Sequence, residues 1–114
     1  MQDLFVRAFR QAGGRIVTGT DAANQMLVPG ASEHLELELL VGAGLTPAEA
    51  LGAGTRDAAT LLGADSLGTL EPGKAADLVV LSRDPLADIR NTRSVTRVMV
   101  RGQLILADSI RNRW

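Results

Sequence analysis

The first stretch of the chain predicts a helix followed by a buried strand. Residues 3–12 place their apolar side chains on one side of a helix and two arginines on the other. Gly13 and Gly14 end this helix, because glycine readily adopts the left-handed conformation found at helix C-termini. The short apolar run Ile16–Thr20 predicts a strand, and the carboxylate of Asp21 follows at its end. A helix followed by a strand is half of an α/β repeat.

Three more helices are predicted before the hydrophobic pattern changes. A loop at 24–31 leads to a helix from Ser32 to Ala43. Its leucines and glutamates fall largely on different sides, and the predicted apolar stripe consists of Leu35, Leu39 and Leu40. Thr46-Pro47-Ala48-Glu49 predicts a helix start, because Thr caps, Pro suits the first helical position and Glu completes a capping box. A further short helix is predicted over 56–62.

The last part of the chain has the pattern of short strands and tight turns. Glu71–Lys74 matches a type II turn, with Pro at its second position and Gly at its third. Strands are predicted at Leu78–Leu81, Val95–Val100 and Leu104–Leu106, and the last two form a hairpin around Arg101-Gly102. The predicted class is therefore α/β plus β. Isolated hairpins are marginal in water, and one buried strand needs a sheet, so the pattern indicates a portion of a larger fold.

Composition narrows the classes of partner. The net charge is −1 and aromatic residues make up 3%, so neither a basic surface nor a set of stacking residues predicts nucleic-acid binding. The chain has no Cys, which excludes disulfides and thiolate metal sites. No apolar run approaches the ~20 residues of a membrane helix, and no signal peptide is predicted. We therefore expect a cytoplasmic protein with neither nucleic-acid nor membrane partners.

Two residues are candidates for a functional site. Carboxylates that follow the strands of α/β sheets often belong to active sites, so Asp21 is a candidate metal ligand and base; a helix cap or a turn residue is the alternative. His34 is the only histidine, and it either contacts substrate or makes a local structural bond near a helix N-terminus. Asn24 and Gln25 follow Asp21 in the loop where a barrel would place substrate contacts. Trp114 either packs on a partner or belongs to a solvated terminus.

Several segments together resemble the C-terminal region of the metal-dependent amidohydrolases, in the imidazolonepropionase-like and dipeptidase-like branch. Their order and spacing match that family, and they cover nearly all of the chain to about Ala107. These segments are Gly14–Asp21, His34–Leu40, Ala43–Leu51, Ala58–Gly63, Gly68–Leu81 and Asp84–Ile89.

The resemblance implies a fold for each part of the chain. Residues 1–66 would be the last helix, strand and helices of a (β/α)₈ barrel. Residues 67–107 would be the C-terminal strands of a composite β-sandwich, and residues 108–114 a tail. The chain is thus expected to be a C-terminal fragment of a barrel followed by part of a sandwich.

The resemblance also implies a reaction. Asp21 would bind a divalent metal, with zinc expected, and would act as the base on the water that attacks an amide, cyclic amide or dipeptide-type C–N bond of a small-molecule substrate. His34 would contact that substrate. The family's remaining ligands lie in earlier segments that this sequence does not contain. We therefore expect the chain to be inactive alone and to need the missing N-terminal portion or self-association. The alternative is a non-catalytic fragment that acts as a self-association or partner-binding module.

Overall fold

A computed structural model of the protein describes residues 2–22 and 27–112. Asn24, Gln25 and Trp114, for which contacts are predicted above, lie outside the described residues. The helices are α1 (Gln2–Gln11), α2 (Ala31–Gly42), α3 (Pro47–Gly54), α4 (Arg56–Leu61), a 3-10 helix (Ile89–Arg93) and α5 (Ala107–Arg111). The strands are β1 (Leu78–Leu81), β2 (Val95–Val100) and β3 (Gln103–Leu106). None of the described helices is long and apolar enough to cross a membrane.

Local signals place the start of α3. The backbone N–H of Glu49 donates to Thr46 Oγ1 (3.2 Å), and the N–H of Thr46 donates to Glu49 Oε2 (2.9 Å). Pro47 is the first residue of the helix. These two bonds satisfy backbone donors that a helix N-terminus otherwise leaves without partners. The predicted capping box is confirmed.

The three strands form one antiparallel sheet in the order β1-β2-β3. Val98 of β2 lies opposite Val79 of β1 and Ile105 of β3, which confirms the predicted hairpin. The turn before β1 is also confirmed, because the N–H of Lys74 donates to the carbonyl of Glu71 (3.2 Å). Gly73 lies between them with φ 89°, the positive value that a type II turn requires.

The hydrophobic core joins the helical part of the chain, residues 2–61, to the β part, residues 78–106, which contains the three strands and the 3-10 helix. Its buried residues come from α2, α3, the loop before α3 and the 3-10 helix: Leu37, Leu40, Leu45, Ala50, Ala53 and Ile89. The predicted stripe of α2 is correct at Leu40 and wrong at Leu35 and Leu39, which are 45% and 58% exposed. Leucines lie on several sides of α2, and the side that packs on α3 and the 3-10 helix is the one containing Leu37 and Leu40.

The predicted strand at Ile16–Thr20 is wrong for the described residues. The segment carries no strand pairing; instead the N–H of Thr18 donates to the carbonyl of Ala53 (3.3 Å) at the end of α3. A strand is defined by the ladder it forms with a neighbour, and the three described strands pair among themselves. Residues 108–111, predicted as a tail, belong to α5, which packs on β2 and β3.

Candidate functional site

Asp21 follows the segment Ile16–Thr20 and is exposed to solvent. Its φ of 52° is in the left-handed region, which aspartate tolerates better than most residues. Such a conformation costs roughly 1–3 kcal/mol and persists only where the surrounding structure holds it. The conformation of Asp21 therefore depends on contacts that restrain the neighbouring backbone.

Three hydrogen bonds restrain the backbone on both sides of Asp21. The N–H of Gly19 donates to Glu36 Oε1 at 2.7 Å. The N–H of Thr18 donates to the carbonyl of Ala53 at 3.3 Å. The N–H of Ala22 donates to the hydroxyl of Thr20 at 3.2 Å, in a bond that spans Asp21. Contacts from α2 and α3 thus set the path of the chain into Asp21.

Sequence periodicity does not reveal the role of Glu36. The pattern places the glutamates of α2 away from its apolar stripe, which is typical of a solvated helix face. The bond from Gly19 joins residues 17 positions apart, and no local spacing predicts such a pair. Glu38 is a second case, because its carboxylate accepts a hydrogen bond from Arg93 Nε at 2.7 Å.

The structure places His34 against the 3-10 helix. Its Nδ1 lies 2.9 Å from the hydroxyl of Thr92, a buried residue. Burial, followed by the charge of Arg93, lowers the pKa of His34 from 6.5, while Glu38 and Glu33 act in the opposite direction. These surroundings therefore favour the neutral imidazole. This contact joins α2 to the β part, and the predicted contact with substrate stays a prediction.

The described residues do not fit a metal ion by themselves. A catalytic zinc site uses about three protein ligands and a water. Within residues 2–22 and 27–112, no group of three or more His, Cys, Asp or Glu side chains is placed to hold a metal. Asp21 can supply one carboxylate ligand, so any metal at this position depends on further ligands from elsewhere.

A cleft of about 610 Å³ lies beside Ile16 and Val17, at the beginning of the segment that leads to Asp21. It is lined by charged side chains such as Arg10 and Glu49, which form an ion pair at 3.1 Å, and by the apolar Ile16. Among its lining residues in the described part of the chain, neither Asp21 nor His34 appears. The candidate residues of the site therefore lie outside this cleft.

Sequence comparison relates the chain to hydrolases. Residues 5–105 match the sequence profile of the Amidohydrolase family. Ochratoxinase from Aspergillus niger is 34% identical over 119 residues, covering 96% of this chain and 24% of the relative. Imidazolonepropionase from Pseudomonas putida is 41% identical over 88 residues, covering 72% of this chain and 21% of the relative.

The chain is also similar in fold to related proteins of known structure. The fold resembles a Xaa-Pro dipeptidase with bound methionine in its active site, with a TM-score of 0.82, 29% identity, and coverage of 92% of this chain and 25% of that one. It also resembles Aspergillus niger ochratoxinase, with a TM-score of 0.76, 33% identity, and coverage of 90% and 24%. The chain spans about a quarter of the length of these relatives.

Proposed function

Because the chain belongs to the amidohydrolase family, we propose that it supplies the C-terminal portion of a hydrolase that cleaves C–N bonds in small molecules. The bonds in question are of the amide, cyclic amide or dipeptide type. Residues 1–66 would complete a (β/α)₈ barrel and residues 67–107 a β-sandwich. The observation that carries the proposal is a family match that runs through Asp21 and reaches nearly to the end of β3.

Asp21 is the residue proposed to act in the reaction. Its exposed carboxylate can accept a proton from the attacking water and deliver it to the leaving nitrogen, which is the role of a general base and acid. Asp21 would also be one ligand of a divalent metal, with zinc as the proposed ion, and the other ligands would come from sequence outside this chain. His34 would contact substrate through Nε2, since Nδ1 is bonded to Thr92.

We further propose that the chain needs another polypeptide portion, or self-association, to be active. Two observations support this. The described residues contain no group of three or more side chains placed to hold a metal. Several large apolar side chains are also well exposed, among them Leu62 at 80% and Leu70 at 75%, and exposed apolar surface of this kind is typical of a face that packs on another chain.

A chimera tests the proposal. The chain replaces the matching quarter of Aspergillus niger ochratoxinase, and hydrolysis of the host enzyme's substrate and the metal content are measured. We expect the chimera to bind metal and turn over, and Asp21→Asn to abolish turnover and reduce bound metal. Asp65→Asn, a change at another exposed aspartate, is the matched control and should retain both. An active Asp21→Asn chimera would remove Asp21 from the mechanism.

A non-catalytic role in self-association or partner binding is the second candidate function. It is favoured by the same exposed leucines and needs no metal. Light scattering of the purified chain, with metal removed by a chelator, separates the two proposals. A defined oligomer in a chain that stays inactive in the chimera would favour the binding module. An active chimera with bound metal would favour the hydrolase.

A further inference from the structure

We infer that Glu36 is a positioning residue for Asp21. Its carboxylate accepts a hydrogen bond from the backbone N–H of Gly19, two residues before the proposed base. This bond fixes the backbone that leads into Asp21 and thereby the position of the Asp21 carboxylate. The inference rests on the proposed function, because that proposal gives Asp21 its role in the reaction.

The bond between Gly19 and Glu36 has the geometry of a strong contact. The distance of 2.7 Å between the Gly19 nitrogen and Glu36 Oε1 is at the short end for such bonds, as expected when the acceptor is ionised. Glu36 is half-buried, and the next residue, Leu37, belongs to the core. The carboxylate is therefore carried by a helix that is anchored in the interior.

The segment before Asp21 depends on such contacts. It pairs with no strand among the described residues, and its bonds reach α2 at Gly19 and α3 at Thr18. Gly54 at the end of α3 also lies beside the segment, because a Cβ atom there would be in ordinary van der Waals contact with Thr18 Cγ2, at 3.5 Å. The segment thus lies against two helices, and Asp21 leaves it with φ 52°.

Glu38 provides a matched comparison within the same helix. Its carboxylate is also half-buried and accepts a bond of equal length, 2.7 Å, but from Arg93 of the 3-10 helix. Substitution of Glu38 therefore removes a similar contact from α2 without touching the segment that leads to Asp21. Any effect specific to Asp21 should follow Glu36 and not Glu38.

The first test uses the chain alone and needs no activity. Amide hydrogen exchange of Gly19 is followed by NMR in the unsubstituted chain, Glu36→Ala, Glu36→Gln and Glu38→Ala. We expect Glu36→Ala to speed Gly19 exchange by about tenfold or more, since a hydrogen bond to a charged group is lost. Glu36→Gln keeps an oxygen acceptor and should be intermediate. Unchanged exchange in Glu36→Ala would overturn the inference.

The second test uses the ochratoxinase chimera described above. We expect Glu36→Ala to lower kcat by about 10- to 100-fold with little change in KM, because a displaced catalytic group costs about that much. Glu36→Gln should restore part of kcat, and Glu38→Ala should lower kcat much less than Glu36→Ala does. An equal loss in Glu36→Ala and Glu38→Ala would indicate a general effect on stability and would also overturn the inference.

The two proposals fail in different ways. If Asp21→Asn leaves the chimera active, the proposed function fails, whatever happens at Glu36. If Asp21→Asn abolishes turnover and Glu36→Ala matches the unsubstituted chimera in kcat, only the positioning role fails. A variant that does not fold is recognised by its NMR spectrum, and Glu36→Gln then carries both tests, because the amide has the size of the carboxylate.

Discussion

Truncation of Ile89 tests whether the helical and β parts share one core. Ile89 begins the 3-10 helix between β1 and β2, is 6% exposed, and clusters with Leu37 and Leu40 of α2. Ile89→Ala removes three carbon atoms, which at ~0.8 kcal/mol for each buried carbon gives about 2.4 kcal/mol. The part of the cavity that does not collapse adds about 1 kcal/mol. We therefore expect the free energy of unfolding to fall by about 3 kcal/mol.

The assay for Ile89→Ala is urea denaturation followed by two probes. Far-UV circular dichroism reports the helices, and the methyl NMR signals of Val98 report the sheet. Both midpoints should shift together, because the core contains residues from both parts. Leu86→Ala is the control: this side chain lies in the same connection but is 57% exposed, so its loss should cost less than ~0.5 kcal/mol. A helix signal unchanged in Ile89→Ala would refute a shared core.

Three further predictions concern local contacts. Burial, followed by the charge of Arg93, lowers the pKa of His34 from 6.5. The unfolded chain therefore binds a proton at this histidine at a higher pH than the folded chain, and the stability should fall as the pH drops below about 6.5. Urea denaturation across this range checks the prediction, and an equal fall in His34→Gln would contradict it. Thr46→Ala removes the cap of α3 and should lower the free energy of unfolding, measured by thermal denaturation, by about 1 kcal/mol. Thr46→Ser keeps the hydroxyl, so an equal loss in Thr46→Ser would show that the hydroxyl is not the cause. Gly73→Ala places a side chain at φ 89° and should lower the free energy of unfolding by about 1–2 kcal/mol. Gly42→Ala is the control, because Gly42 lies in α2 with space around its Cβ position, and it should be neutral or stabilising. A similar loss of stability in both variants would refute the role of φ.

The features predicted correctly are those whose signal lies within a few residues. The capping box at Thr46 and the turn at Gly73 each depend on four consecutive positions. The hairpin of β2 and β3 depends on two neighbouring runs and the short turn between them. In the capping box the side chains that specify the conformation also make its hydrogen bonds, whereas in the turn and the hairpin neighbouring residues favour a conformation that backbone hydrogen bonds then hold.

The predictions that failed depend on contacts distant in sequence. An apolar run such as Ile16–Thr20 predicts a strand only if another strand is available to pair with it. The spacing of Leu35 and Leu39 indicates a helix, but it does not say which side of that helix the core covers. The 3-10 helix Ile89–Arg93 is too short to show a period, although it contributes the buried Ile89.

The candidate site was predictable only in part for the same reason. Asp21 is identified by its place after an apolar run and by the family resemblance. The contacts that set its surroundings are long-range: Gly19 with Glu36 is separated by 17 positions, and His34 with Thr92 by 58. Such contacts depend on how α2 packs against Ile16–Thr20 and the 3-10 helix, and the spacing of residues in the sequence does not specify that packing.

The exposed apolar surface and the proposed metal site bear on whether the chain acts as part of a hydrolase or as a binding module. Burying a leucine contributes about 1.5–3 kcal/mol, and Leu61, Leu62 and Leu70 leave most of their surface in water. If a second portion of polypeptide supplies the remaining ligands around Asp21, it can also cover these leucines, so that stability and activity would rise together. A partner-binding module gains the burial without the ligands. Bound metal measured together with the free energy of unfolding therefore separates the two functions more sharply than either measurement alone.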